Sequence, residues 1–219
     1  MKREKKGYQT LNAYREIKRR IIALEFKPGD SLEEKQLGVE LGVGRTPIRA
    51  ALLLLKNEDW IVSLPNKSAY VKEMTLKDVR DLIESLAAVE KTTASLAARR
   101  VTEEALKEIR KAEEERAKAV DRRDFWEVNV QNQRFHNLIA KASNNKYLAS
   151  IHDDLRNKAQ RMSYMSVSRV DRHLISIKKD HREIVRCLET RNVRKIERLS
   201  THHIRLFQNR ISTFLQGRQ

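Results

Sequence analysis

Arg45 and Arg49 stand one helical turn apart at the head of a stretch whose remainder, Ala50 to Leu55, is apolar. Guanidinium groups offer forked donors that match the acceptor pairs on base edges and the oxygens of phosphates. On a short helix with an apolar inner face, two of them are suited to reading nucleic acid. The preceding residues favour such a helix start. Gly42 suits the left-handed conformation that closes one helix, Thr46 is a good N-cap, and Pro47 has its φ preset for the first turn.

The flanking elements would position this helix. Tyr8 to Leu24 carries Leu11, Tyr14, Ile17, Ile21 and Leu24 at helical spacing. Lys27-Pro28-Gly29-Asp30 breaks it. Ser31-Leu32-Glu33-Glu34 fits a capping box, with Ser31 as cap and Glu34 reaching back, opening a second helix through Leu41. The recognition helix is expected from Pro47 to about Glu58. Two short apolar runs, Trp60 to Leu64 and Ala69 to Val71, surround Pro65-Asn66-Lys67-Ser68 and read as a β-hairpin. Three helices and a hairpin make a winged helix-turn-helix over residues 1–74.

Residues 75–219 read as all-helical. Beyond Thr75 there is no proline, and Gly217 is the one glycine. Six segments are expected: Leu76–Arg100, Thr102–Arg122, Asp124–Ser143, Lys146–Ser166, Val170–Thr190 and Val193–Leu215. Leu82, Leu86, Val89, Thr93, Leu96 and Ala97 form an apolar stripe on the first, as helices of an antiparallel bundle require. The fold class is therefore mostly α, a winged head followed by a six-helix bundle.

Composition bounds the function. The formal charge is +16, which fits an anionic partner. Residues 1–74 hold 15 Lys/Arg against 10 Asp/Glu, a net of +5, and the rest hold 31 against 20, a net of +11. Most of the excess thus lies outside the winged head, where the basic residues are dispersed among helices. Lys2, Arg3, Lys5 and Lys6 read as a flexible arm. The single Cys187 excludes a disulfide framework and reads as a small buried hydrophobe in a reducing cytosol. No apolar run approaches the roughly 18 residues of a membrane span, and no apolar segment follows the basic N-terminus. A cytoplasmic protein without membrane contact is expected.

The order of the Pro28-Gly29 break, Leu32 with Glu34, the Gly42-Val43 turn, Arg45-Thr46-Pro47-Ile48-Arg49 and the wing ending at Val71 resembles the DNA-binding head of the GntR family of bacterial transcription regulators. The resemblance implies that Arg45 and Arg49 read bases or clamp phosphates, that Thr46 and Lys35 meet the backbone, and that Asn66-Lys67 form the wing tip. Two positions depart from the family pattern. Gly44 replaces the usual Ser or Thr, and Asn66 replaces the usual wing Gly, whose positive φ asparagine tolerates.

The second half resembles the FCD effector domain of one GntR branch, through Arg134-Phe135-His136 with Asn144, His181-Arg182-Glu183-Ile184, and His203. Six helices match the VanR-like variant. The resemblance implies a divalent metal (Zn, Ni, Fe or Mn) held by His136, His181 and His203, with position 132 as fourth ligand. Here that position is Asn132 where relatives have Asp, so the ion would keep its full charge and attract an anionic ligand more strongly. Asn129 and Gln133 share the helix face of 132 and 136 and would line an effector pocket. Leu86 stands four residues before Glu90, where relatives carry an effector-facing Arg. His152, His173 and His202 lack motif support and read as surface residues.

These features lead to the expectation of a transcription regulator, not an enzyme. It would act as a repressor binding a palindromic double-stranded DNA operator as a homodimer, controlled by a small-molecule effector. Two other classes fit parts of the sequence. One is a three-His metalloenzyme, against which stands the absence of an obvious general base. The other is a non-specific nucleic-acid-binding protein, suggested by the charge alone.

Overall fold

The computed structural model describes the backbone of residues 2–63, 69–168 and 171–216, with side chains described over 7–62, 69–165, 179–209 and 211. The chain forms two compact units, Met1–Lys77 and Asp78–Gln219.

The first unit contains α1 (Lys2–Ile22), β1 (Ser31–Leu32), α2 (Glu34–Glu40), α3 (Arg45–Asn57), β2 (Ile61–Ser63) and β3 (Ala69–Val71). Its antiparallel sheet has the order β1-β3-β2. Ile17 and Ile21 of α1 and Ile48, Ala51 and Leu55 of α3 are fully buried, and each larger aliphatic side chain contributes roughly 1.5–3 kcal/mol. A polar clamp closes the far end, where Glu58 accepts from Tyr14 Oη at 2.6 Å, Lys18 Nζ at 2.8 Å and the Trp60 indole at 3.1 Å.

Several local expectations are corrected. Ser31 caps no helix: Ser31 and Leu32 pair with Tyr70 and Ala69 as a third strand. That placement buries Leu32 to 1% exposure and satisfies main-chain groups, which outweighs a cap bond of about 1 kcal/mol. Glu33 occupies the N-cap of α2 without a side-chain bond. At α3 the cap is the extended Gly44, so Thr46 lies inside the first turn. The basic N-terminal run is the start of α1, not an arm. On α1, Leu11 is exposed and Ala13 takes an inner position, while Leu24 lies past the helix end in the left-handed region. The expected ending of α2 is found. Gly42 has φ +63°, and Val43 N donates to Gly38 O at 3.0 Å.

The second unit contains α4 (Leu76–Arg100), α5 (Glu103–Asp121), α6 (Phe125–Ala142), α7 (Lys146–Ser168), α8 (Asp171–Glu189) and α9 (Val193–Gln216). Side chains define the joins. Thr102 accepts from Ala105 N, Asp124 from Glu127 N, Asn145 from Leu148 N and Asn192 from Lys195 N, each capping the helix that follows. Ala94, Ala97, Leu106, Ile109, Phe135, Ile139, Ile184, Leu188 and Ile196 form a core drawn from α4, α5, α6, α8 and α9. Among the described residues no helix is long and apolar enough to cross a membrane.

Candidate functional site

On α3 the inner face buries Pro47, Ile48, Ala51, Leu52 and Leu55, and this leaves Arg45, Thr46 and Arg49 exposed on the other side. Lys35 is exposed on α2. Arg49 Nε donates to both oxygens of Glu34, at 2.7 and 3.0 Å, so the glutamate expected to cap α2 holds this arginine instead. With the side chains 68% and 38% exposed, this pair is worth at most about 1 kcal/mol. The wing-tip residues Asn66 and Lys67 lie outside the described residues.

The second unit gathers His136 from α6, His181 from α8 and His203 from α9 in its interior. One ring nitrogen of each lies within 4.8 Å of the others, and all three residues are buried. Phe135 stacks on the His181 ring at 4.5 Å between centroids and fixes its plane. Each histidine has a carboxylate behind Nδ1: Glu90 at 3.5 Å from His136, Glu113 at 3.2 Å from His181, and Asp180 at 3.8 Å from His203. The Glu113–His181 contact is a hydrogen bond; a carboxylate accepts only, so it favours for His181 the tautomer with the proton on Nδ1 and the Nε2 lone pair turned inward.

That arrangement has a consequence at the centre. His181 Nε2 and His203 Nε2 are 3.3 Å apart, and His136 Nε2 is buried without a hydrogen-bond partner. The His181 Nε2 lone pair therefore faces His203 Nε2 across a gap that a proton on His203 Nε2 or a cation can fill. Two imidazole nitrogens on one tetrahedral ion, at about 2.0–2.1 Å each, would stand about 3.3–3.4 Å apart. The His181–His203 spacing therefore fits two ligands of one divalent transition metal, and His136, whose Nε2 is unpartnered, offers a ring nitrogen within 4.8 Å as a third.

The surrounding charges are paired and buried. Glu90 contacts Arg156 and, at 3.4 Å, His152. Burial alone would raise the Glu90 carboxyl, but Arg156 and His152 outweigh it and hold the group at about 2. Burial, with Arg156 second, pushes His136 well below the ordinary imidazole range and keeps it in the neutral, metal-ligating form. Arg116 is fully buried and donates to both oxygens of Glu113 at 2.7 and 2.9 Å. The two arginines and two glutamates cancel.

The remaining expected site residues are placed as follows. Asn132 is half-buried, and its amide nitrogen lies 3.4 Å from Ser163 Oγ. Asn129 is buried with both amide atoms unpartnered, and Gln133 has a buried, unpartnered Nε2. Leu86 is fully buried. None of these lines the cavity beside the histidines, which is bounded by residues including Glu90, Thr93, His136, His152, Ser200 and His203. Its volume of 10 Å³ is that of a single ion or water. His152 is corrected: it is 1% exposed, not a surface residue. His202 is exposed, and the His173 side chain lies outside the described residues. The charged partners Glu113, Arg116 and Arg156 were not anticipated.

Residues 9–71 match the model of the bacterial regulatory proteins of the gntR family, and residues 81–206 match the FCD domain. The chain is 28% identical over 186 residues to the HTH-type transcriptional regulator YdhC of Bacillus subtilis, covering 83% of this chain and 81% of that one. It is 26% identical over 194 residues to the HTH-type transcriptional repressor RspR of Escherichia coli, covering 87% and 83%. Among solved structures, E. coli McbR/YncC superposes with a TM-score of 0.80 at 20% identity, covering 96% of this chain and 99% of that one.

Proposed function

The chain belongs to the GntR family of bacterial regulatory proteins and carries an FCD domain, so it is a DNA-binding transcription regulator and not an enzyme; from that premise we propose that it is a ligand-controlled repressor. Two copies would present their winged heads to an inverted-repeat operator, because two-fold protein symmetry is matched by a palindromic site. Arg45 and Arg49 would read base edges in the major groove. Lys35, Thr46, Asn66 and Lys67 would hold the backbone and set register. Repression is supported by the name of the E. coli relative RspR.

Control would pass through the second unit, and the observation that carries this reading is the convergence of His136, His181 and His203 with a carboxylate behind each ring. These three would hold a divalent ion, with Asn132 as a candidate fourth donor. A bound ion supplies Lewis-acid positions for an anionic effector. Glu113 would orient the His181 imidazole, and Phe135 keeps that ring from turning. The buried Arg–Glu pairs cancel, so they would leave the ion's charge largely intact for an anionic ligand. An effector shifts DNA binding only by its different affinity for the DNA-competent and incompetent states.

The test is selection of genomic fragments by the full-length protein, with and without Zn²⁺, followed by footprinting. An inverted repeat protected on both half-sites, with occupancy that changes on adding an anionic ligand, is the expected result. Uniform retention of all fragments would favour non-specific binding and contradict the proposal.

A further inference from the structure

The second unit carries another concavity, on its surface and apart from the histidines. A cleft of 280 Å³ is lined by Lys91 of α4 and by Glu197, Arg198, Thr201, His202 and Arg205 of α9. Arg198, Thr201 or His202, and Arg205 recur at three- and four-residue intervals, so they share one face of α9. Some other exposed cations of this unit meet carboxylates: Arg110 with Glu189, Arg134 with Glu108, and Arg186 and Lys195 with Glu183. Lys91, Arg198 and Arg205 have no hydrogen-bond or ion-pair partner among the described residues. The one carboxylate in the cleft, Glu197, instead accepts from Ser95 Oγ at 2.7 Å.

Three permanent positive charges thus share a cavity with one negative charge. Guanidinium and ammonium groups that line one cleft repel each other, and a multivalent oxyanion relieves that repulsion while accepting several hydrogen bonds. The volume lies just below the usual range of small-molecule sites, about 300–1,000 Å³, and admits a phosphate or diphosphate with a small attached group. The cleft also accounts for part of the basic excess that lies outside the DNA-binding head.

We propose that this cleft binds a phosphate-bearing anion, with Lys91, Arg198 and Arg205 as its donors, giving the FCD unit a second ligand site. The phosphate comes either from a phosphorylated small molecule or from a DNA backbone. Inorganic pyrophosphate is the probe, titrated calorimetrically into metal-stripped, full-length protein in low-salt, phosphate-free buffer. Saturable binding is expected, weakened at least tenfold by the double substitution Arg198→Ala/Arg205→Ala. Lys158→Ala, at an exposed lysine of α7, and His181→Ala in the histidine cluster should each stay within twofold of wild type.

The salt dependence of binding to random-sequence duplex DNA separates the two sources. If DNA fills the cleft, the double variant lowers the log–log slope by about 2 relative to Lys158→Ala; an unchanged slope assigns the site to a free phosphorylated ligand. No saturable pyrophosphate binding overturns the proposal. So does a double variant indistinguishable from Lys158→Ala, or affinity lost in His181→Ala and kept in the double variant.

Discussion

Arginine–glutamate pairs do opposite work in the two units. On the winged head, Arg49 and Glu34 meet at a surface where the side chains are 68% and 38% exposed. In the helical unit, Arg116 and Glu113 meet with side chains 0% and 7% exposed. Water screens the first pair, so it is weak and exchangeable. No solvent supports the second pair, so each charge depends on the other, and the pair becomes a fixed support behind His181. The proposed reading surface needs charges that let go, and the proposed ligand site needs charges that stay.

The sharpest way to break this contrast is to remove one carboxylate from each unit. Glu113→Ala strands a buried guanidinium and should cost about 3–5 kcal/mol in denaturant unfolding. A loss under about 1 kcal/mol would show that Arg116 reaches water.

Acid should act on the same buried charges. Glu90 is held at about 2 when folded, against an ordinary 4.5. A depressed carboxylate stabilises the fold above its unfolded pKa and loses that contribution as pH falls through its folded one. About 3 kcal/mol should therefore disappear progressively between about pH 5 and 2. Unfolding free energies measured down this range should fall, and Glu90→Gln should flatten its share of the slope. An equal slope in the variant would contradict the assignment. His136 acts in the same direction earlier, because its depressed imidazole loses stability as pH drops below 6.5.

Arg45→Ala should weaken operator binding by about 1–3 kcal/mol and relax base preference, leaving the thermal midpoint unchanged. Unchanged operator affinity and specificity would remove Arg45 from the reading surface. The smallest effect belongs to Glu34→Ala, which should change stability by less than about 1 kcal/mol. A larger loss would mean that the Arg49 pair is structural.

Much of the architecture was legible because it rests on periodicity and caps. The six bundle helices follow apolar stripes, and Thr102 and Asp124 announce their starts. The strand Ser31–Leu32 was not legible, since two residues carry no period and their partner lies far along the chain. At the site, family resemblance supplied the three histidines, but not the charges that support them. Charged residues on amphipathic helices ordinarily read as solvent-facing. The available signal was position: Glu113 and Arg116 fall on the stripe of Leu106, Ile109, Ala112 and Val120, where a solvated face has no place. His152 and Arg156 recur at i and i+4 on α7, a spacing whose meaning depends on Glu90 of another helix.

The central claim is that His136, His181 and His203 form a metal-dependent ligand site. It is tested most directly by thermal unfolding of chelator-stripped full-length protein with Zn²⁺, Ni²⁺ or Mn²⁺, beside His181→Ala. At 100 times its dissociation constant, an ion bound to the folded state adds about 2.7 kcal/mol, so the midpoint should rise for wild type and stay fixed for the variant. An unchanged midpoint with every ion, or an equal rise in His181→Ala, would contradict the account.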